Sequence, residues 1–331
     1  MVADKQPDKP LRVGVLGNSD IARRKFIPAL VQSGKAALVA VASRQPERPD
    51  HQASGEPVPM MTYQELICDP DIDLIYISLP NHLHEEWSLR ALEQGKHVVC
   101  EKPLALCAAS VNRMLESAGR HGRLLYENIM YLQHPQHQEV KSLVADGRIG
   151  QRIALHSEFT FPGPGEGDFR LDPARGGGAF HDLNRYPLSA ALFFLEGKTH
   201  RFLSGTAEMR DGLSQSLQAE SVTDAGERFS FLISFGRQYR SFYEIRGARG
   251  TIRVERAYTT PPDMENEIFV TIDGRDESFC VPPSDHFAGT IEHVCDVIRS
   301  GSWDREHERA RKLAELAGMF HDNCIQRGIP A

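Results

Sequence analysis

Between Leu11 and Tyr126 short apolar runs alternate with amphipathic stretches, and few folds accommodate that rhythm. Leu11 to Leu16, Ala37 to Ala42, Asp73 to Ser78, His97 to Cys100 and Leu124 to Tyr126 are too short to be buried helices. Their near-continuous apolar character is that of strands covered on both faces. Asn18 to Ser33, Tyr63 to Cys68, Asn81 to Glu93 and Ala108 to His121 place apolar residues at helical spacing between them. Strand and helix in alternation predict a parallel, doubly wound α/β sheet of the Rossmann kind. Asn81 is the expected cap of the third helix. Pro46 to Pro59, rich in proline, glycine and charge, reads as a surface loop.

The pattern changes after Glu127. His134 to Ala145 reads as a helix entered through Pro135, and Arg152 to Phe161 as a long strand broken by Pro162-Gly163-Pro164-Gly165. Arg175-Gly176-Gly177-Gly178 leads into a helix expected over Ala179 to Leu195, on which Asp182 and Tyr186 share a face. Segments near 200–210, 216–223, 228–235, 239–246, 250–256, 266–272 and 277–281 read as strands of an open, mostly antiparallel sheet. Helices over about 286–299 and 304–327 follow. The expectation is a Rossmann domain over 1–127 and an α+β domain over 128–331, in keeping with 331 residues.

Lys and Arg total 38 against 45 Asp and Glu, a net charge of -7, so neither nucleic acid nor an anionic membrane is an expected partner. The six cysteines are scattered with no C-x-x-C, which reads as free thiols in a reducing cytoplasm. Met1 to Pro10 is polar and lacks the apolar core of a signal peptide. No run approaches membrane-spanning length.

Chemistry concentrates at the ends of the expected strands. Gly17-Asn18-Ser19-Asp20-Ile21-Ala22 fits the dinucleotide-binding turn at Gly17 and Ala22, with Ser19 in place of the middle glycine. The second strand ends at Ser43-Arg44, where a hydroxyl and a planar cation suit a 2′-phosphate better than ribose hydroxyls, so NADP is the expected cofactor. Glu101-Lys102-Pro103 follows the fourth strand, and a residue there points into the crevice where such sheets bind ligands. Pro103 pushes Lys102 toward extended backbone, mounting a cation rigidly. His82 and His84 do not share a helical face and lack a third ligand, so no metal is expected. Arg237, Arg240, Arg246 and Arg249 either neutralise a diphosphate or form the solvated face of a sheet.

Jointly, Gly17 to Ala22, Leu79-Pro80-Asn81 with His84, Glu101-Lys102-Pro103, and Gly176 to Ala179 leading to Asp182 and Tyr186-Pro187 resemble the glucose-fructose oxidoreductase and inositol dehydrogenase (Gfo/Idh/MocA) family. Within it, Gly14 to Gly17 with Asp20 to Arg24, Glu127 to Tyr131 with His134 to His137, and Asp182-Leu183 resemble the bacterial nucleotide-sugar 3-ketoreductases of deoxysugar biosynthesis. The chain departs from the family's usual Asp-Leu-Gly run by carrying Asn184-Arg185.

The resemblance implies NADPH-dependent reduction of the 3-keto group of a nucleotide-linked sugar, dTDP being the expected nucleotide, by a cytoplasmic dimer or tetramer. It implies cofactor contacts from Gly17, Ser19, Asp20, Ile21, Ser43, Arg44, Leu79, Pro80, Asn81, His84, Glu101, Lys102, Asn128 and Arg170. Substrate contacts fall to Lys102, Tyr131, Asp182 and Tyr186, with Lys102 and Tyr186 catalytic. Lys102 is expected to stabilise the developing alkoxide and to donate the proton if burial lowers its pKa. Tyr186 is the alternative acid, its anion favoured by the neighbouring ammonium. The competing readings are an NADP-linked sugar or trans-dihydrodiol dehydrogenase and a non-catalytic dinucleotide sensor. The second is disfavoured because such sensors tend to lose the lysine that this chain keeps at Lys102.

Overall fold

The computed structural model describes residues 9–44, 52–53 and 56–325. Part of the expected Pro46 to Pro59 loop and the end of the last expected helix lie outside them. The first half runs β1 (Leu11–Leu16), α1 (Ile27–Ser33), β2 (Ala36–Ala42), the two-residue strands β3 (Gln52–Ala53), β4 (Glu56–Pro57) and β5 (Met60–Met61), then α2 (Tyr63–Cys68). It continues with β6 (Leu74–Ile77), α3 (His84–Glu93), β7 (His97–Glu101), α4 (Ala108–His121) and β8 (Leu125–Asn128). Six of these strands form one sheet in the order β5-β2-β1-β6-β7-β8, parallel throughout. Side chains alternate between two cores: Val13, Val15, Tyr76 and Val99 join α1 on one side, and Leu16, Ile75, Ile77, Val98 and Cys100 join α2, α3 and α4 on the other.

The second half begins with α5 (Pro135–Ala145), β9 (Arg152–Thr160), α6 (Ala179–Leu183) and α7 (Arg185–Phe194). Then follow β10 (His200–Arg210), β11 (Leu213–Thr223), β12 (Arg228–Ser234), β13 (Arg240–Gly247), β14 (Gly250–Val254), β15 (Asn266–Ile272) and β16 (Arg275–Val281). They build an eight-stranded sheet, β10-β11-β12-β9-β13-β14-β15-β16, antiparallel except for the β12/β9 pair. Leu155, Ser157 and Phe159 of β9 are buried beneath the helices, while His156 and Glu158 face outward. On that outer face Arg240 and Arg253 stack on Phe242.

The chain then returns to the first sheet through α8 (His286–Ser300) and α9 (Asp304–Phe320). Lys35 pairs with Asp296 of α8 at 2.9 Å, and His307 of α9 accepts the Leu125 amide of β8 at 3.1 Å. Ala310 and Ala314 of α9 complete the core that α2, α3 and α4 share with the first sheet.

Several expected elements differ in detail. The first helix begins with a π-type turn at Ala22–Phe26 before α1. Asn81 does not cap α3; it opens a 3-10 turn over Asn81–Leu83 without a side-chain cap, and its amide donates to the Gly176 carbonyl at 2.8 Å. The helix expected over Ala179 to Leu195 is two helices meeting at Asn184.

The two halves are joined by a buried ion pair. Arg185 Nε donates to Glu127 Oε1 at 2.8 Å, with the side chains 4% and 2% exposed. The same oxygen accepts the Leu104 amide at 2.9 Å, and Arg185 Nη1 donates to Asn184 Oδ1 at 2.8 Å. Asn184-Arg185, the departure noted in the sequence, therefore serves this joint. Removing one partner leaves the other as a lone buried charge. Arg185→Met is expected to lower urea-unfolding stability by roughly 3–5 kcal/mol, with Glu127→Gln/Arg185→Met recovering much of it. Additive losses in the double variant would show that the two side chains do not act as a pair.

Burial pushes His97 and His134 down to about 4 and His286 to about 3. These rings stay neutral in the fold at pH values where the unfolded chain binds protons, from about 6.5 downward. Stability is thus expected to fall steadily as pH drops from about 6.5 toward 4. Unfolding midpoints measured at pH 7, 6 and 5 check this, and a flat or rising series would contradict it.

Candidate active site

The carboxyl ends of β1, β6 and β7 open into a crevice at the point where chain order reverses between β1 and β6, the place where such sheets receive ligands. Gly17 leaves β1 with φ +111, a conformation that disfavours any side chain. A Cβ there would stand 3.0 Å from Leu79 Cδ2 and 3.1 Å from the Ser78 carbonyl oxygen. The Ser19 hydroxyl, at the position of the missing glycine, accepts the Ala22 amide at 3.2 Å and so caps the turn. Asn18 Oδ1 is buried without a partner, so a donor entering the turn would satisfy it.

Two cavities share Ser19, Ser78, Leu79 and Pro80 and together make one elongated groove. One, about 740 Å³, runs from Gly17, Asn18 and Ser19 to Ser43, Arg44 and Tyr63. The other, about 700 Å³, runs from Asp20 and Ile21 past Asn81, His84 and Glu101 to Lys102, Arg170, Asp182 and Tyr186. A tight glycine turn, an unsatisfied polar atom beside it and a groove ending at a serine and an arginine fit a dinucleotide.

At the far end Lys102, which precedes a cis peptide to Pro103, meets the first turns of α6 and α7. Its ammonium donates to the Asp182 carbonyl at 2.6 Å and to Asp182 Oδ1 at 2.7 Å, the two side chains being 11% and 9% exposed. Two of three N–H donors are thus taken, leaving the third for the groove. Arg170 Nε reaches the same Asp182 oxygen at 3.1 Å, and its Nη1 donates to Asp168. Burial alone would raise the Asp182 pKa, but Lys102 and Arg170 overcome it and hold the carboxylate below its usual range. For Arg170 too, Asp182 and Asp168 outweigh burial and raise its pKa. Both cations meet Oδ1, so Asp182 orients two neighbouring side chains while it lines the cavity.

Tyr186 places its ring 5.3 Å from Lys102 Nζ and packs edge-on against Phe159 at 4.6 Å. The phenol was expected to be acidified by the ammonium. Instead burial, then the charges of Asp182 and Glu101, push its pKa up, and Arg170 opposes them only in part. Tyr186 is therefore a neutral O–H donor.

Of the expected contacts, Asn128 and Tyr131 do not line the groove. Asn128 is buried and donates to Glu101 Oε1 at 2.6 Å; the same oxygen accepts from Tyr76 at 2.7 Å. Glu101 thus lines the groove while its carboxylate is held from behind. The Tyr131 hydroxyl donates to the Tyr186 carbonyl at 3.2 Å and pairs with Ser189 at 2.8 Å, so it supports the start of α7. His84 is buried with its ring nitrogens 2.7 Å from the Pro103 carbonyl and 2.8 Å from the Leu79 carbonyl. It ties together the two loops that line the groove. Arg237, Arg240, Arg246 and Arg249 pair with Glu208, Glu158, Glu244 and Asp273 away from the groove, the sheet-face alternative and not the diphosphate one. Sequence reading missed Phe159, Phe169, Tyr239, Thr259 and Arg175, which also line it; the break at Pro162 to Gly165 was the one sign that a loop turns inward there.

The family profile described as "Oxidoreductase family, NAD-binding Rossmann fold" matches residues 11–129, and that of the Gfo/Idh/MocA C-terminal domain matches residues 137–253. The chain is 34% identical over 302 residues to dTDP-3,4-didehydro-2,6-dideoxy-alpha-D-glucose 3-reductase of Actinomadura kijaniata, covering 90% of each protein. It is 31% identical over 296 residues to D-xylose 1-dehydrogenase (NADP(+)) 2 of Haloferax volcanii, covering 88% of this chain and 90% of that one. A crystal structure of a 3-ketoreductase from Actinomadura kijaniata with NADP and TDP-benzene superposes with a TM-score of 0.92 at 31% identity, over 98% of this chain and 100% of that one. With both halves matched and the groove lying where the first profile places its nucleotide fold, the chain belongs to the Gfo/Idh/MocA oxidoreductase family.

Proposed function

We propose that this protein reduces the 3-keto group of a nucleotide-linked sugar, dTDP being the favoured nucleotide, with NADPH as hydride donor. The observation that carries the reading is the placement of Lys102, Asp182 and Tyr186 in one of two adjoining cavities, the other of which is lined by Gly17, Ser43 and Arg44. Similarity to dTDP-sugar 3-reductases and to a ketoreductase crystallised with NADP and TDP-benzene supports it. The bound dinucleotide would supply a hydride to the carbonyl carbon. Gly17 to Ile21 and Leu79 to Asn81 would hold it along the groove, with Ser43 and Arg44 reading its 2′-phosphate.

The protein's own part is electrostatic. Asp182 fixes Lys102 so that its remaining N–H holds the substrate oxygen, and positive charge is in place before the oxygen becomes anionic. The neutral Tyr186 hydroxyl donates to the same oxygen and is a proton source at Oη. Asp182, by orienting Lys102 and Arg170, keeps both cations from turning into solvent. The reading includes a nucleotide-binding unit over 1–127, a substrate-binding unit over 128–331, a cytoplasmic setting consistent with six free cysteines, and a dimer or tetramer built on the outer face of the second sheet. Among the described residues no helix is long and apolar enough to cross a membrane.

The xylose dehydrogenase likeness favours a second reading, an NADP-linked sugar dehydrogenase using the same groups. Assay of both directions separates the two: NADPH oxidation with a dTDP-linked 3-ketosugar supports the first, and turnover of free xylose alone rejects it.

Lys102→Met keeps volume and deletes charge. It is expected to lower turnover by roughly 10²–10³-fold with the NADPH dissociation constant nearly unchanged, since the lost interaction is strongest in the transition state. Tyr186→Phe is expected to cost about tenfold, as an ammonium or water can still deliver the proton. The reverse order of severity would make tyrosine the principal acid. Arg44→Asp is expected to weaken NADPH binding by roughly 1–3 kcal/mol and leave NADH less affected. Equal affinity of the unmutated protein for both dinucleotides would remove Arg44 from the 2′-phosphate.

A further inference from the structure

We propose that Arg175, carried by the second half of the chain, is a cofactor-binding residue whose guanidinium neutralises the pyrophosphate of the dinucleotide. The proposal rests on the dinucleotide reading above and adds a contact that crosses between the halves. Arg175 lines the 740 Å³ cavity together with Gly17, Asn18 and Ser19 of the nucleotide turn. Among the described residues it has no acidic partner, whereas its neighbour Arg170 is held by Asp168 and Asp182 and Arg23 by Asp20. Its guanidinium carbon stands 5.8 Å from the centre of the Phe169 ring.

The segment that presents it is closely built. Asp172 Oδ1 accepts the Ala174 amide at 2.9 Å and caps the 3-10 turn Pro173–Arg175. Gly176 ends the turn at φ +75, where a Cβ would lie 2.7 Å from Leu106 Cδ2 and 3.0 Å from Asn81 Cβ. A Cβ on Gly177 would lie 2.4 Å from the Arg170 carbonyl oxygen. Asn81, at the mouth of β6, donates to the Gly176 carbonyl and pins this loop to the first half. An arginine so mounted, lining a cavity and without an acid, calls for an anion.

Charge and position favour the pyrophosphate over the 2′-phosphate. The nucleotide turn brings its own carboxylate, Asp20, to the groove, and of the two arginines that line the cavity with Gly17 only Arg175 is not already placed at the 2′-phosphate. The 2′-phosphate position already has Ser43 and Arg44. Because Arg175 and Gly17 lie on different halves, a dinucleotide between them would bridge the two and hold the groove together.

The test is equilibrium titration of the full-length protein with NADPH and with NADH, followed by nicotinamide fluorescence and by calorimetry, with thermal melting to verify folding. Arg175→Gln is expected to raise both dissociation constants by roughly tenfold while keeping their ratio, and to flatten their dependence on salt. Arg175→Lys should recover part of the affinity. Arg44→Gln is the contrasting variant and should change the ratio. Unchanged binding in Arg175→Gln overturns the proposal, as does a loss confined to NADPH, which moves the cation to the 2′-phosphate. Both results leave the dinucleotide reading standing; if the unmutated protein binds neither dinucleotide, that reading and this proposal fail together.

Discussion

Glu127 Oε1 receives two donors that matter to everything around the groove, the Arg185 guanidinium at the start of α7 and the Leu104 amide just past Lys102 and Pro103. A single buried oxygen thereby fixes the loop that carries Lys102 against the helix that carries Tyr186. Ion pairs at this depth contribute little net stability, because removing both charges from water costs about as much as their attraction returns. Their effect lies in specificity: the halves meet in one register, since any other leaves a buried charge without its partner. Lys102 and Asp182, 80 positions apart in the chain, form their contact within the frame this joint sets.

That frame explains how two neighbouring polar groups reach opposite electrostatic conditions. The Lys102 ammonium has a carboxylate and a carbonyl within hydrogen-bond distance, so its charge is locally compensated. Tyr186, four residues beyond Asp182, is surrounded by Phe159, Tyr131 and Tyr258 and faces the same carboxylate; burial and that charge disfavour its anion. Donor strength is therefore divided between a fixed cation and a neutral hydroxyl, both present before any substrate enters. Pre-orientation of this kind avoids reorganisation at the moment charge develops.

Much of this was legible in the chain because parallel strands buried on both faces leave an unmistakable trace, contiguous apolar runs separated by helical periodicity. Lys102, Arg44 and Gly17 were readable for the same reason, since strand ends in such sheets point to one crevice. What could not be read were contacts distant in sequence. Nothing local tells that Arg185 turns back to Glu127, that Asn184 splits a helix, or that Asn81 reaches Gly176 instead of capping α3. Tyr131 and Asn128 were misplaced because a short 3-10 turn and a strand terminus do not declare which way their side chains face. The Tyr186 environment was inverted for a related reason: the ammonium was visible in the sequence, but the burial of the ring among Phe159, Tyr131 and Tyr258, and the Asp182 charge beside it, were not.

The return of α8 and α9 to the first sheet has a consequence for how the chain comes into being. Strands β1 to β8 are synthesised first, yet α1 lies against α8 and α4 against α9, and the Leu125 amide of β8 waits for His307. During vectorial synthesis the nucleotide-binding sheet is therefore made before α8 and α9, and part of its apolar surface stays uncovered until those helices emerge. The sheet made before the second one is thus completed after it, so the two halves cannot fold as fully independent units in chain order.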